Sequence, residues 1–339
     1  MTVLELGPEP RFLLVRPDKI GDVILTTPAV LSLKKKFPRC FIGFLCRSYT
    51  APLLEHNPSI DQILLIDSPA SLGRQVQRVK DLKFDAAVHF YLDWRSVLIT
   101  SLAGVPVRIG PLSKFPAFLL NRRVVQNRSK VEKHEALYNL DLVKECGAEE
   151  RPESPGIYLT ESEKKRGKEL LAGLCGREGI KPVLIHPGSA GSAKNWPADF
   201  YFRLGEKLSE SNFVLFSGGK GEESILEKVG KSLKNTGVIP AGSLSLRELA
   251  AVISQSRLMI SNSTGPLHMA VALDIPTVSF YPQLPLVTSA KRWGPFGPAG
   301  LHRVLSPLDP LSSMSSISVS EAAEAARQAL AGDKMDAGK

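Results

Sequence analysis

FLLVRPDKIGDVILTTPAVLSL, residues 12–33, is the stretch that decides the fold of this 339-residue chain. Its first four residues are apolar and have the length of a buried strand. From Val23 to Leu33 the apolar residues recur with the period of a helix. The stretch therefore predicts a strand followed by a helix, which is one βα step of an α/β protein.

The same step recurs along the chain. Strand-length apolar runs occur at residues 41–45, 63–66 and 86–90, each followed by a plausible helix. A second series has strands at residues 183–186, 213–216, 258–260 and 277–280, with helices at residues 199–208, 222–233, 246–253 and 267–273. Alternating steps of this kind indicate parallel sheets covered on both faces. We predict two doubly wound units.

The boundary between the units is expected near residues 147–160, which lack periodicity and contain Pro152, Pro155 and Gly156. This gives an N-terminal domain at residues 1–155 and a C-terminal domain at residues 156–332. Ser318 and Glu321 resemble a capping box of a last helix that Gly332 would end, leaving residues 333–339 as a loose tail. Two such domains packed tip to tip would face each other across a cleft, because open α/β sheets bind ligands at their carboxyl ends.

The composition, 43% hydrophobic and 23% charged, is that of a soluble globular protein, and no run of eighteen apolar residues occurs. The N-terminal residues lack the apolar segment of a secretory signal, so we expect a cytoplasmic protein. The four cysteines form no C-x-x-C pair and have no histidine at zinc-ligand spacing. We therefore expect neither a metal site nor a disulfide framework.

The net charge of +9 is not gathered in a nucleic-acid-binding tail, so no nucleic-acid partner is expected. The basic excess is nevertheless strong in one stretch, where seven basic residues oppose only Glu132: Arg108, Lys114, Arg122, Arg123, Arg128, Lys130 and Lys133. Such a stretch could contact phosphates or an anionic membrane leaflet. A solvated basic face explains the charge pattern equally well.

The first candidate motif, RPDKIGDV at residues 16–23, lies where the first strand ends and its helix begins. Asp22 falls in the first helical turn, where the helix dipole favours an ionised carboxylate that could act as a general base. A carboxylate that only stabilises the helix start is an equally good interpretation.

The second candidate motif, HPGSAGSAKNWP at residues 186–197, is a Gly/Ser-rich loop between a strand and a helix. Its small residues expose backbone N–H groups, and Lys194 adds a charge suited to a phosphate. The spacing is not that of a Walker A loop. An ordinary surface loop with an exposed lysine is the alternative.

Two further motifs also lie at strand-to-helix turns. NSTGPLH at residues 262–268 opens a helix whose Ser, Thr and Gly offer several unsatisfied N–H donors that could hold a diphosphate, with His268 either beside it or in the core. In SGGKGEE at residues 217–223, Glu222 could accept hydrogen bonds from a ribose, although a solvated carboxylate is the more ordinary interpretation. The sequence has no Asp-x-Asp triplet for a metal-bound diphosphate and no G-x-G-x-x-G at the first turn.

In this order, the motifs at residues 16–28, 186–197 and 263–268 resemble glycosyltransferase family 9, the ADP-heptose:lipopolysaccharide heptosyltransferases. The resemblance spans roughly residues 11–330. It implies the GT-B fold, with two Rossmann-like domains, and an inverting transfer that uses neither a metal ion nor another cofactor. The partners implied are ADP-heptose as donor, a lipopolysaccharide core or lipid A acceptor, and peripheral contact with the cytoplasmic face of the inner membrane.

The resemblance also implies roles for single residues. Asp22 would be the general base, and the donor would be held by Lys194, Glu222, Ser263, Thr264, Gly265 and His268. Arg122 and Arg123 are assigned to the acceptor by charge alone and not by a matched motif.

One position departs from the family pattern, because many members carry Asp where this chain has Ser263. The donor sugar is therefore less fixed than the reaction, and transfer from another nucleotide sugar is an alternative. A noncatalytic module that binds nucleotide sugars or glycans is a second alternative, and a dehydrogenase is a distant third.

Overall fold

The computed structural model describes residues 4, 6–112, 115–148, 154–188, 195–218, 226 and 234–336, with side chains up to residue 331. It divides into two compact units, Met1–Tyr158 and Leu159–Lys339. The boundary lies slightly beyond residue 155. One reason is local: the backbone N–H of Gly156 donates to Thr27 Oγ1 at 3.0 Å, which ties this segment to the first unit.

The first unit is built on a six-stranded parallel sheet. Its strands are β1 (Arg11–Val15), β2 (Phe41–Cys46), β3 (Gln62–Leu65), β4 (Ala86–His89), β5 (Val107–Pro111) and β6 (Arg122–Val124). Its helices are α1 (Ile20–Ile24), α2 (Thr27–Lys36), α3 (Leu72–Asp81), α4 (Trp94–Leu102) and α5 (Glu135–Lys144). The strand order β3-β2-β1-β4-β5-β6 changes direction between β1 and β4, which defines a switch point where ligands bind in such sheets.

The second unit contains another six-stranded parallel sheet. Its strands are β7 (Val183–His186), β8 (Val214–Ser217), β9 (Thr236–Ile239), β10 (Leu258–Asn262), β11 (Thr277–Phe280) and β12 (His302–Leu305). Its described helices are α6 (Glu161–Cys175), α7 (Ala198–Ser209), α8 (Leu246–Ser254), α9 (Gly265–Ala272), α10 (Ala290–Trp293) and α11 (Val319–Asp336). The order β12-β11-β10-β7-β8-β9 repeats that of the first sheet and places the second switch point between β7 and β10.

The two cores follow from the apolar strands. Residues 12–15 of β1 are fully buried, as expected for a central parallel strand covered on both faces. In the second unit Trp196 stacks on Phe280 at a centroid distance of 4.2 Å, and Tyr201 meets both rings edge-on. This aromatic cluster fixes the end of the second motif and the first part of α7 against the sheet, because all three side chains are buried.

The helix expected at residues 23–33 is in fact two helices. α1 ends at Ile24 and α2 begins at Thr27. The physical reason is Pro28, which has no N–H to donate and is favoured in the first turn of a new helix. The single-helix prediction was wrong here, and the break keeps Asp22 in a short, separate helix.

The prediction for the last helix was right at the N-terminal end of the helix and wrong at its C-terminal end. Ser318 N donates to Glu321 Oε2 at 2.7 Å and Glu321 N donates to Ser318 Oγ at 3.1 Å, so the predicted capping box is present. However, α11 continues through Gly332 to Asp336, because one glycine costs a helix only about 1 kcal/mol. Residues 333–336 are therefore helical rather than a loose tail. No described helix is long and apolar enough to span a bilayer.

Candidate active site

The switch point of the first unit is filled by Arg16, the residue directly after β1. Its side chain is fully buried, with only 1% of the residue exposed. The guanidinium donates to Asp18 Oδ1 at 2.8 Å, Phe90 O at 3.1 Å, Glu135 Oε1 at 3.2 Å, Asn139 Oδ1 at 3.3 Å and Asp22 Oδ1. Since Phe90 directly follows β4, Arg16 links the ends of the two strands that flank the switch point.

Asp22 is the third residue of α1 and lies beside this arginine. Thr26 Oγ1 donates to the backbone oxygen of Asp22 at 2.8 Å, which ties α1 to the start of α2. The Asp22 side chain is 15% exposed, so solvent or a substrate can reach it. Within the described residues its side-chain hydrogen bonds involve Oδ1 alone, which leaves Oδ2 available to accept a hydrogen bond from a ligand.

Two polar residues of α5 complete this buried network, and the sequence interpretation missed both. Glu135 pairs with Arg16 and with Arg128, while Asn139 Nδ2 donates to Leu25 O at 3.0 Å. Glu135 and Asn139 lie four residues apart, so they share one face of the helix. Apart from this spacing, the sequence of α5 carries no signal of a buried network, since Asp141 and Lys144 are further polar residues of the same helix.

Charge and burial act together on the ionisable groups of this network. Burial lowers the pKa of Arg16, but the charges of Asp18, Asp22 and Glu135 outweigh it, so that the pKa lies well above its ordinary value. Burial, reinforced by the charges of Asp22 and Glu135, raises the pKa of Asp18 to about 6 despite the opposing effect of Arg16. Arg16 is therefore a permanent cation that orients carboxylates around it.

In the second unit, Asn262 bridges the switch point between β7 and β10. Its Nδ2 donates to Pro187 O at 2.8 Å, and its Oδ1 accepts from Trp196 N at 3.0 Å. Ser261 Oγ donates to His186 O at 3.0 Å. These contacts fix both ends of the Gly/Ser-rich second motif, whose Lys194 lies outside the described residues, as does Glu222 of the fourth motif.

The N-terminus of α9 presents fewer backbone donors than the sequence indicated. Thr264 is the N-cap, and its Oγ1 accepts a hydrogen bond from Leu267 N at 3.3 Å. Pro266 has no N–H. In the part of the chain that the structure describes, this leaves the backbone N–H groups of Thr264 and Gly265 to face a ligand at the positive end of the helix.

The two other predicted residues of this motif differ in their surroundings. His268 is 4% exposed within α9. Ser263 is half-buried and hydrogen-bonds the hydroxyl of Tyr281, which itself donates to Trp293 O at 2.6 Å. Burial raises the pKa of Tyr281, whereas the hydrogen bond with Ser263 lowers it, and the net result is a raised pKa. Ser263 is thus held by a neighbouring side chain.

Arg122 and Arg123 do not join the Asp22 network. Both lie on β6, three strands from β1 and so roughly 14 Å away at ordinary strand spacing. Other basic residues of the same stretch have structural partners: Lys133 pairs with Asp141 at 2.7 Å, and Arg128 pairs with Glu135. Among the described residues, no group of three or more His, Cys, Asp or Glu side chains is arranged to hold a metal ion.

The strand order, which is the same in both units, places the chain in the class of α/β proteins built from two doubly wound parallel sheets. The model of glycosyltransferase family 9 (heptosyltransferase) matches residues 72–308. The chain belongs to this family, and it is a glycosyltransferase.

Individual relatives agree with this assignment. A Haemophilus influenzae protein, named only provisionally as a glycosyltransferase, is 31% identical over 88% of this chain and 89% of that protein. Lipopolysaccharide heptosyltransferase 2 of Salmonella typhimurium is 25% identical over 80% of this chain and 82% of its own length. The structure of Escherichia coli ADP-heptose lipopolysaccharide heptosyltransferase II is similar with a TM-score of 0.80 at 20% identity, covering 96% of this chain and 99% of that one. The predicted family and GT-B fold class are confirmed.

Proposed function

We propose that this glycosyltransferase moves a heptose from ADP-heptose to an inner-core acceptor of lipopolysaccharide, with inversion at the anomeric carbon and without a metal ion. The relatives support this proposal, since one is named a lipopolysaccharide heptosyltransferase and another an ADP-heptose enzyme. The observation that carries it in this chain is the carboxylate of Asp22 beside the buried Arg16 at the first switch point.

In the proposed mechanism Asp22 is the general base. An acceptor hydroxyl donates a hydrogen bond to Asp22 Oδ2 and attacks the anomeric carbon of the donor from the face opposite the ADP. As the new C–O bond forms and the bond to ADP breaks, the proton passes to Asp22. Arg16 holds Oδ1, so the carboxylate is oriented before the acceptor arrives, which lowers the cost of reaching the reactive geometry.

The second unit would hold the donor. The N–H groups of Thr264 and Gly265 and the dipole of α9 would stabilise the charge that develops on the departing ADP. Lys194 would add a positive charge, Glu222 would hold the ribose, and Ser263 and His268 would lie beside the diphosphate or the sugar. The first unit would correspondingly bind the acceptor, with Arg122 and Arg123 as candidates for its outlying phosphates. We place the protein in the cytoplasm, with peripheral contact to the inner membrane.

Ser263 makes a donor other than ADP-heptose a specific alternative. Ser263 hydrogen-bonds Tyr281 and brings no carboxylate to the donor side of the second unit. A hydroxyl is uncharged, so the preference for a heptose over another sugar would have to come from other contacts. The alternative is transfer from a different nucleotide sugar onto the same class of acceptor.

The decisive experiment measures acceptor-dependent ADP release from ADP-heptose with core-truncated lipopolysaccharide, comparing wild type with Asp22→Asn. We expect turnover to fall by roughly 10²–10⁴-fold, the usual contribution of a general base, while donor affinity measured by calorimetry is retained. Retained affinity is needed because a lost binding site would also abolish turnover.

Asp18→Asn is the matched comparison, because Asp18 contacts the same arginine and its pKa of about 6 also suits a base. A smaller loss in Asp18→Asn than in Asp22→Asn supports the assignment, and the reverse order would transfer the role to Asp18. If the wild type releases no ADP, ADP-heptose is not the donor. A panel of other nucleotide sugars would then identify the donor.

A further inference from the structure

Three large aromatic side chains are exposed together on the first unit. Trp94 is 51% exposed, Phe115 77% and Phe118 58%. They touch one another edge-to-face, with centroid distances of 5.4, 5.7 and 5.8 Å. We call these three residues the aromatic patch. A contiguous exposed apolar group of this kind is unusual on a monomeric protein and indicates an interaction surface.

The local backbone displays the patch rigidly. Phe115 and Phe118 belong to the 3₁₀ helix Phe115–Leu119, whose period of three residues puts both rings on the outer side. Pro116 and Ala117 between them are buried. The patch is therefore presented by a backbone whose other side is packed against the protein.

Arg108 of β5 fastens the end of this 3₁₀ helix to the sheet. Its Nε donates to Leu119 O at 2.9 Å, and its backbone N–H donates to Asn121 Oδ1 at 2.8 Å. Both hydrogen bonds hold the C-terminal end of the segment and limit its movement. The aromatic rings thus form a preformed surface, and little conformational entropy is lost when they bind a partner.

The patch lies at the same edge of the sheet as Asp22. Trp94 follows the carboxyl end of β4 and Phe115 follows that of β5, while Asp22 follows that of β1, the neighbour of β4. Leu112 and Val125 follow β5 and β6 at this edge and are 46% and 72% exposed. The apolar surface therefore borders the proposed acceptor side of the unit.

The charge near the patch is mostly positive, and the carboxylate of Asp93, which adjoins Trp94, is occupied by hydrogen bonds from Ser96. Residues 107–131 contain six basic residues and no acidic one: Arg108, Lys114, Arg122, Arg123, Arg128 and Lys130. Aromatic rings with nearby cations match the region of a bilayer between headgroups and acyl chains, where rings bury apolar area and cations meet lipid phosphates. An acidic protein surface would pair with the basic side chains, but it would offer the exposed rings no apolar environment in which to be buried.

We propose that the aromatic patch inserts into the headgroup region of an anionic phospholipid bilayer and docks the carboxyl edge of the first sheet on the membrane. The role of this docking rests on the proposed function, because a lipid-linked acceptor is presented at a bilayer surface. Docking itself requires no turnover, so vesicle binding tests the surface independently of the reaction.

The main experiment is cosedimentation of the full-length protein with vesicles that contain no lipopolysaccharide. Wild type should bind vesicles of phosphatidylcholine with phosphatidylglycerol more tightly than phosphatidylcholine alone, by about fivefold for each cation that meets the surface. The variant Trp94→Ser/Phe115→Ser/Phe118→Ser should lose binding by on the order of tenfold for each ring removed. Phe115→Ser alone, at the most exposed ring, should show an intermediate loss while being safest for folding.

The matched control is Leu308→Ser/Leu311→Ser. These leucines are 95% and 86% exposed and belong to the second unit, so the control removes exposed apolar area that is not part of the patch. It should bind vesicles like wild type. Equal losses in the control and the triple variant would overturn the proposal, since any exposed apolar side chain would then be equivalent.

Trp94 provides a direct signal, because Trp196 is buried and Trp293 is half-buried. Its emission should shift to shorter wavelength with anionic vesicles and be quenched by lipids brominated near the headgroup. Trp94→Phe should keep vesicle binding and lose this signal.

Three results would overturn the proposal: no binding to anionic vesicles, binding only when acceptor lipid is included, or concentration-dependent self-association that the triple variant abolishes. The second result would assign the patch to acceptor acyl chains, and the third to a second copy of the chain. Failure of ADP release with intact vesicle binding would instead count against the proposed function alone.

Discussion

Arg16 determines how the first switch point is organised, because one buried guanidinium serves five acceptors. A planar guanidinium offers five N–H donors and keeps its charge when buried, whereas a lysine offers three donors from a single point. The three carboxylates around it would repel one another without this cation. Its presence therefore explains how Asp18, Asp22 and Glu135 lie so close together in a buried setting.

At the residue scale, the variant Arg16→Lys should separate the effect of Arg16 on the orientation of Asp22 from the effect of its positive charge. Lysine keeps the positive charge but leaves at least two of the five acceptors without a donor, so the free energy of unfolding should fall by about 2 kcal/mol or more. The kcat should also fall, because Asp22 is no longer held in one orientation, while donor KM changes little. Denaturant unfolding and steady-state kinetics measure the two effects.

Arg11→Lys is the matched control, at the start of the same strand, where Arg11 Nε donates to Leu82 O at 2.6 Å. It should lose some stability and leave kcat unchanged. A kcat in Arg16→Lys equal to that of wild type would contradict a positioning role for Arg16.

At the scale of the element, the sequence predicted eight of the twelve described strands and missed four. β1, β2 and β7 contain continuous apolar runs because both faces are covered, and this pattern is visible in the sequence. β5, β6, β9 and β12 were missed because their apolar residues are few or interrupted by arginine, histidine or glycine, and β6, β9 and β12 are also edge strands that are only partly buried. Similarly, Asp22 was located by its motif, whereas Glu135 enters the site through a tertiary contact with Arg16 that no local pattern encodes.

Two glycines of α6 should respond in opposite ways to the same substitution. A Cβ at Gly167 would lie 2.5 Å from the backbone oxygen of Ala251 in α8, so the two helices would have to move apart. A Cβ at Gly173 would meet nothing within 4 Å. We expect Gly167→Ala to destabilise the protein by about 1–3 kcal/mol and Gly173→Ala to stabilise it by about 0.5–1 kcal/mol.

Calorimetric Tm values of the two variants, recorded side by side, test this prediction. Because both substitutions change the helix propensity equally, their difference reports the packing of α6 on α8. Tm changes of the same sign and size in both variants would show that the close approach at Gly167 is not a constraint.

At the scale of the whole molecule, the same strand order is used twice with different chemistry at each switch point. The first crevice contains a buried cation and carboxylates, and the second contains neutral hydrogen bonds and a helix N-terminus. Sequence periodicity could predict both sheets because each is encoded locally. The cleft expected between the units stays a prediction, since the way two domains face each other depends on contacts that no periodicity carries.

The stability of both units should fall in acid because each buries a neutral histidine. Burial, aided by the charge of Arg108, lowers the pKa of His89 to about 3, and burial lowers that of His302 to about 4. In the unfolded chain both have pKa values near 6.5, so below this pH the unfolded state binds protons that the folded state does not. The free energy of unfolding therefore decreases as pH falls from about 6.5 towards 4, by about 2 kcal/mol per histidine at roughly pH 5. Asp18 acts in the opposite direction, because its raised pKa adds stability at low pH that is lost as pH rises through about 6.

The test compares the Tm at neutral pH with that at roughly pH 5 for wild type and for His89→Gln, His302→Gln and the double variant. Each glutamine removes one proton uptake on unfolding, so the Tm difference should shrink stepwise and be smallest in the double variant. The exposed His56, replaced by Asn to suit its positive φ of 61°, is the control and should leave the difference unchanged. If the double variant loses as much Tm in acid as wild type, the buried histidines are not the cause of acid sensitivity, and the carboxylates around Arg16 become the next groups to examine.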